Sequence, residues 1–367
     1  MNKKIRAIGA ACLVAVWAGL TALAWFGSDQ AESVSERRPL EQWPGITGES
    51  LWSGSFMEDF GDYSLDQFPL RDPFRQIKSL FHYYALQQKD NNGIYIADGY
   101  AVKMEYPLNT TSVNFAVSRF QHIYDTYLKD SGSKVVFAPV PDKGYYLAEE
   151  NGYLSLDYEK MFAMLRENMP WAEFVDLTDC LEASDYYYTD THWRQEHLLD
   201  VAGKLSEALG VTPPKAENFT LTQVDTPFYG VYYGQAALPM KPESIYLMES
   251  QLLKDCQVYD HETGQYTPVY NLEKLSGRDP YEVYLSGTRA LLTIENPNAS
   301  TDRELVVFRD SFGSSLVPLL VQDYAKVTLV DIRYVASDFV GQFVDFHGQD
   351  VLFLYSTLVL NSSSTLK

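Results

Sequence analysis

Three residues of this chain could together activate a hydroxyl group. Asp190 and His192 stand two apart in Asp-Thr-His-Trp, and Ser311 follows Asp310 in Arg-Asp-Ser-Phe-Gly, more than a hundred positions later. A serine hydroxyl is a weak nucleophile until a base takes its proton, and an imidazole serves as that base when a carboxylate holds it in the right tautomer. In an extended segment, residues two apart point to the same side. Asp190 would then lie beside His192 and leave the second ring nitrogen free for Ser311. Each motif alone has a plainer reading. Asp-Ser after a strand is an ordinary helix N-cap, and Asp-x-His could equally be two metal ligands. No third ligand stands at a suitable spacing, so no metal is expected. His197, five positions beyond His192, suits the surface.

The elements around these motifs must bring them together. Glu304–Phe308 (ELVVF) reads as a buried strand, which places Ser311 at a strand-to-helix turn, near amides that can stabilise an oxyanion. Sites in open parallel sheets form at such strand ends. Val135–Ala138, Glu173–Leu177, Lys326–Val330 (KVTLV) and Val351–Tyr355 (VLFLY) read as further strands. Helical patterns fall over Ser112–Lys129, Leu156–Glu167, Gln195–Leu209 and Gly313–Gln322. Ile94–Val102 reads as a hairpin turning at Asp98-Gly99. Residues 221–296 alternate as strands and hairpins. Strands alternating with helices imply an α/β domain with a mostly parallel sheet flanked by helices.

Before this domain come two other segments. Lys3, Lys4 and Arg6 precede an uncharged run, Ala7–Gly27, whose twenty-one residues would span roughly 30 Å as a helix, enough to cross a bilayer. The basic flank predicts a cytoplasmic N-terminus and an exported remainder, hence single-pass anchoring in the cytoplasmic membrane. A cleaved signal peptide is the alternative, with Ala22-Leu23-Ala24 as its cleavage site. The chain thus divides into an anchor over 1–27, a stalk and helical wrap over 28–90, and the α/β domain over 91–367.

Composition narrows the partners. The 367 residues carry a formal charge of −20, which argues against a nucleic acid partner. Three cysteines, with no CxxC, give neither a disulfide scaffold nor a zinc site, although Cys180 and Cys256 could pair outside the cell. Gly230 could let backbone approach an oxyanion, Lys143 and Arg333 could hold substrate, and Trp193 could stack on a sugar. Each has a structural alternative in a turn, an ion pair or packing.

The motifs Asp-Thr-His-Trp, Arg-Asp-Ser-Phe-Gly and Val140–Leu147 (VPDKGYYL), with Ser35–Pro44 (SERRPLEQWP) and Phe68–Asp72 (FPLRD) before them, occur in an order that resembles the bacterial DHHW protein family. The order is also similar to the SGNH-hydrolase-like polysaccharide O-acetyltransferases AlgJ and AlgX. The resemblance implies an SGNH-hydrolase-like fold and a triad of Asp190, His192 and Ser311. It also implies acetyl transfer to an exported polysaccharide, without a cofactor, with a membrane-bound O-acyltransferase supplying the acetyl group. Thr191 departs from the pattern, since it stands where DHHW has its first histidine. An acetyl-esterase using the same triad, and a non-catalytic glycan-binding or scaffold protein of the envelope, are the alternatives.

Overall fold

The computed structural model describes residues 3–367, which form two compact units. The first holds the residues up to Asn92 together with Tyr233–Pro239, and the second holds Gly93–Tyr232 and Met240–Lys367.

The first unit begins with helix α1 (Lys3–Phe26), which is long and apolar enough to cross a membrane. Helices α2 (Ser55–Asp66) and α3 (Arg71–Leu80) follow. Charge pairs join them to the segment between α1 and α2. The Arg38 guanidinium donates two parallel bonds to Asp66 (2.6 and 2.7 Å), and Arg71 pairs with both Glu36 and Asp66. A bidentate guanidinium–carboxylate pair fixes orientation as well as distance.

The second unit is built on an eight-stranded sheet. In chain order its strands are β1 (Val135–Val140), β2 (Glu173–Phe174), β3 (Gln257–Asp260), β4 (Gln265–Thr267), β5 (Leu291–Glu295), β6 (Glu304–Arg309), β7 (Lys326–Val330) and β8 (Asp350–Ser356). They lie in the order β4-β3-β5-β7-β6-β8-β1-β2. The five strands from β7 to β2 run parallel, and β5, β3 and β4 add an antiparallel margin.

The apolar runs are continuous because both sheet faces are covered. Val136, Ala138 and Val140 of β1 pack in one cluster with Val201, Ala202 and Leu205 of helix Leu199–Leu209. Val135 and Phe137 point the other way, to Val113, Ala116 and Phe120 of helix Thr110–Ile123 and to Met161 and Leu165 of helix Tyr158–Asn168. The hairpin is present as Ile94–Ala97 and Tyr100–Lys103, with positive φ at both Asp98 and Gly99. Such a turn matches the strand twist. The helix expected over Gly313–Gln322 is a single α-turn, Gly313–Leu316, that tightens into a 3-10 segment, Val317–Asp323. Pro318 has no N–H to continue the α ladder.

Adjacent strands β6, β8 and β1 end together, and their ends are cross-linked. The Asp310 carboxylate, just past β6, accepts from the Phe312 and Ser356 amides (3.0 and 2.8 Å). Asp142, just past β1, accepts from the Gly144 amide and from the Tyr158 and Thr357 hydroxyls (2.8, 2.9 and 2.8 Å). The Asp142 amide in turn donates to Thr357 Oγ1. Burial raises the Asp142 pKa above the ordinary carboxylate value, and these donors oppose the rise. The edge that carries Ser311 is thereby rigid.

Candidate active site

Asp190 and His192 lie at the tip of a loop closed by the paired residues Tyr186 and Trp193. The Tyr187 amide donates to the His192 carbonyl and the Arg194 amide to the Asp185 carbonyl (3.1 and 2.7 Å). The tip is not an extended strand, which corrects the expectation from sequence. Asp190 instead forms an Asx turn, its Oδ1 accepting from the backbone N–H of His192 (3.1 Å). That turn, and not strand pleat, brings carboxylate and imidazole together. His192 Nδ1 donates to the same oxygen at 2.6 Å, and the Val231 amide donates to Oδ2 at 2.8 Å. The carboxylate is fully buried and held by three N–H donors.

A carboxylate can only accept, so Nδ1 carries a proton, and in the neutral ring that tautomer leaves the Nε2 lone pair free. Nε2 lies 2.8 Å from Ser311 Oγ and accepts its hydroxyl proton. The ring cannot swing freely. Tyr281 stacks on it at 4.0 Å with 8° between planes, and Phe312 leans against it at 5.0 Å. Tyr281 is itself pinned through Ser315 Oγ (2.8 Å), which also accepts from Trp193 Nε1 (3.0 Å). Burial raises the Tyr281 pKa far above its ordinary value, so the phenol stays neutral beside the imidazole. Among the described residues the Ser311 N–H has no hydrogen-bond acceptor, which leaves a donor next to Ser311 Oγ. Chemically, the arrangement is a hydroxyl, a base in the accepting tautomer and an orienting carboxylate in one line.

Lys143, Trp193 and Gly230 support the loop, and Arg333 is held by Asp331. Lys143 is 1 % exposed and is directed at backbone. Its Nζ donates to the carbonyls of Tyr187, Asp190 and, more loosely, Tyr188 (2.7, 2.7 and 3.3 Å). Burial lowers its pKa to about 7, against the pull of Glu243, Asp190 and Asp142. It clamps the loop and is too deeply enclosed to hold substrate. Trp193 is fully buried, with its indole N–H shared between Ser315 Oγ and the Phe312 carbonyl, so it offers no face to a sugar. Arg333 is spent on Asp331, to which it donates from Nε and Nη2 (2.9 and 2.6 Å). Gly230 donates its N–H to Thr189 Oγ1 (2.9 Å), and its missing side chain makes room for the Asp190 backbone. His197 is paired with Asp185 at 2.9 Å, away from the triad. Cys12, Cys180 and Cys256 are all free. Thr191 Oγ1 accepts from the Tyr232 hydroxyl at 3.0 Å, a fixed position for the residue that departs from the histidine pattern.

Several positioning residues had no signal in the sequence. Glu243 accepts from the Tyr188 amide, the Thr189 amide and the Thr189 hydroxyl (2.7, 2.8 and 2.7 Å). With Lys143 on the carbonyls and Glu243 on the amides, both polar sides of the loop are satisfied by buried or half-buried charge. Val231 acts through its backbone alone, which no residue type reveals. Tyr281 is one of 27 tyrosines. Only Asp310 could have been noticed, since an Asp before a strand-end Ser is an Asx-turn former.

The match to known proteins agrees with this architecture. The model of the DHHW protein family matches residues 160–330, a span that contains the whole Asp190–His192–Ser311 constellation. A DHHW family protein from Eubacterium siraeum has a similar structure, with a TM-score of 0.61 and 20% identity over 76% of this chain and 95% of that one. PatB1 of Bacillus cereus, solved with a sulfonyl adduct, follows with a TM-score of 0.60 and 18% identity, covering 73% of this chain and 94% of its own. The O-acetyltransferase domain of Pseudomonas putida AlgJ is more distant, with a TM-score of 0.44 and 14% identity over 73% of this chain and 92% of its own. Among curated sequences none matches. The resemblance read from the motifs is borne out as a resemblance: the DHHW family model matches residues 160–330, and the solved structures share the fold.

Proposed function

We propose that the chain is an extracytoplasmic serine-dependent O-acetyltransferase that modifies an exported or cell-surface polysaccharide through an acetyl-enzyme. The observation that carries this reading is the unbroken line from Asp190 through His192 to Ser311, at 2.6 and 2.8 Å. Ser311 Oγ attacks the donor's acetyl carbonyl while its proton passes to His192 Nε2. The donor's oxygen then leaves with that proton, and acetyl remains on Oγ. A sugar hydroxyl gives its proton to the same nitrogen and attacks the ester. The C–Oγ bond breaks, and Ser311 recovers its hydrogen. Asp190 keeps the imidazole in the accepting tautomer and stabilises the imidazolium that forms in both halves. No step needs a cofactor. Helix α1 serves as the membrane tether, and a membrane-bound O-acyltransferase is the fitting source of acetyl groups.

The test is acyl capture by the full chain in detergent. Brief exposure to an activated acetyl ester should add one acetyl group to the wild type and none to Ser311→Ala. A sulfonyl fluoride should likewise add to the wild type alone. Equal turnover of the ester by wild type and Ser311→Ala would eliminate the mechanism. Supplying glycan oligomers then separates transfer from hydrolysis: acetyl on the sugar supports the transferase, and free acetate alone across a broad acceptor panel supports the esterase.

A further inference from the structure

The first unit carries a helix whose polarity is inverted. Helix α3 turns Arg71, Arg75 and Ser79 inward. Arg75 donates to the Gly234 carbonyl (2.8 Å), Ser79 to the Ala236 carbonyl (2.6 Å), and Arg71 pairs with Glu36 and Asp66. Phe74 and Ile77 face outward, and so do Phe81 and Tyr84 in the π-helical turn Phe81–Ala85 that continues α3. Phe74, Ile77 and Phe81, at helical spacing, are 44, 62 and 55 % exposed, and Tyr84 one turn on is 77 % exposed. A helix on a water-soluble domain does the reverse. An apolar stripe of this kind calls for a cover.

The same unit says what the cover is. Leu23 and Ala24, in the last turn of α1, line one cavity with Leu70 and Pro73 at the start of α3. Ala24 and Trp25 line another with Trp43, Phe60 and Tyr63. Just past α1, the Tyr63 hydroxyl donates to Asp29 (2.9 Å), and Gln30 and Gln67 exchange two bonds at 2.9 Å. The start of α3 is thus fixed beside the outer end of the apolar helix, which is the depth of the lipid headgroups if α1 spans the bilayer. Tryptophan and tyrosine cluster at that level, as they do at membrane interfaces. Lys78, exposed beside the stripe, has the length to reach phosphates.

We infer that α3 lies in the outer leaflet interface of the membrane, with Phe74, Ile77 and Phe81 among the lipid chains, as a second contact besides α1. The inference rests on α1 being a membrane-spanning tether. The two contacts would fix how the first unit stands on the bilayer, where a single helix alone would leave it free to pivot.

The test uses the full chain reconstituted into phosphatidylethanolamine–phosphatidylglycerol vesicles. A bimane fluorophore is placed by Tyr84→Cys in a Cys12→Ser background, with the labelled parent as blank. Acyl chains brominated near the headgroup should quench the label about twofold or more. High salt should leave the quenching in place, since apolar burial drives the contact. Changing Phe74, Ile77 and Phe81 together to serine should abolish the quenching while α1 keeps the protein in the membrane. An unquenched label on protein that resists alkaline extraction would overturn the interfacial helix and leave the tether standing. In that case a second copy or a protein partner covers the stripe, and label self-quenching marks the former. Extraction of the protein by alkali would overturn the tether itself.

Discussion

Gly230 and Asp190 are in backbone contact. A Cβ built on Gly230 would lie 2.3 Å from the Asp190 Cα and N, far inside any real contact. Backbone atoms cannot turn aside as a flexible side chain can. Gly230→Ala should therefore push the loop tip away and separate the Asp190 carboxylate from the Val231 amide that holds its Oδ2. Displacement of about 1 Å at a catalytic group costs on the order of 100-fold in rate. We expect acetyl-ester turnover to fall by about that factor, with the far-ultraviolet circular dichroism of the wild type retained. Undiminished turnover would show that the loop has room to spare.

Asp190→Asn tests the tautomer argument. Three N–H groups converge on the carboxylate, two on Oδ1 and one on Oδ2. An amide has only one accepting atom, so in either rotamer at least one of these donors meets an NH2 group. The imidazole can then relieve the conflict by moving its proton to Nε2, where it no longer accepts from Ser311. Turnover should drop by roughly 10^3 to 10^4. A loss of only a few-fold would mean that Asp190 does little beyond shaping the loop.

Tyr281 separates stacking from hydrogen bonding. Tyr281→Phe keeps the ring against His192 and removes only the bond to Ser315. It should cost about 1 kcal/mol of stability and little activity. Tyr281→Leu removes the stacked plane and lets the imidazole sample other rotamers. Turnover should fall about tenfold further than in Tyr281→Phe, read as kcat at saturating ester with KM little changed. Equal kcat for the two variants would dismiss the stack as an orienting device.

The alignment of Asp190, His192 and Ser311 was legible in the sequence because its members sit in short local motifs. Asp-Thr-His-Trp and Arg-Asp-Ser-Phe-Gly each stand out by residue type. The strands β1, β6, β7 and β8 were legible for a similar reason, since strands buried on both faces read as unbroken apolar runs. What supports the triad was not legible. Glu243 meets Tyr188 and Thr189 across more than fifty positions, and Val231 contributes an amide that every non-proline residue has. Lys143 reads from the sequence as a substrate or ion-pair residue, whereas its ammonium bonds loop carbonyls. A lysine's partners depend on burial, and nothing local told that Val140–Leu147 would run under the loop. The pairing of Asp190 with His192 was anticipated through strand geometry but arises from an Asx turn, because both put residues i and i+2 on one side. Residues 28–90 read as a stalk and helical wrap, but the bounds of α3 within it do not stand out, because an outward apolar stripe above inward arginines lacks the polarity of a soluble helix.

Lys143 yields a prediction whose sign can be worked out. Its folded pKa is about 7, well below the 10.5 of the free side chain, because burial penalises the ammonium. Below pH 7 the side chain is charged in both folded and unfolded states, and the burial penalty is carried in full. Between pH 7 and about 10.5 the unfolded chain binds the extra proton, so raising pH favours the folded state by up to about 1.4 kcal/mol per pH unit. Lys143→Met removes this term at every pH. It also strands the carbonyls of Tyr187 and Asp190, each now buried without its donor, which costs about 1–3 kcal/mol apiece. The stability difference between wild type and variant should therefore shift in the wild type's favour as pH rises from 7 to 9 in urea melts. The opposite trend, a shift in the variant's favour with rising pH, would mean that the carbonyls hold the ammonium strongly enough to outweigh burial. Because these carbonyls belong to the loop that presents Asp190, acetyl-ester turnover by Lys143→Met should fall well beyond what its melting curves explain at the assay temperature.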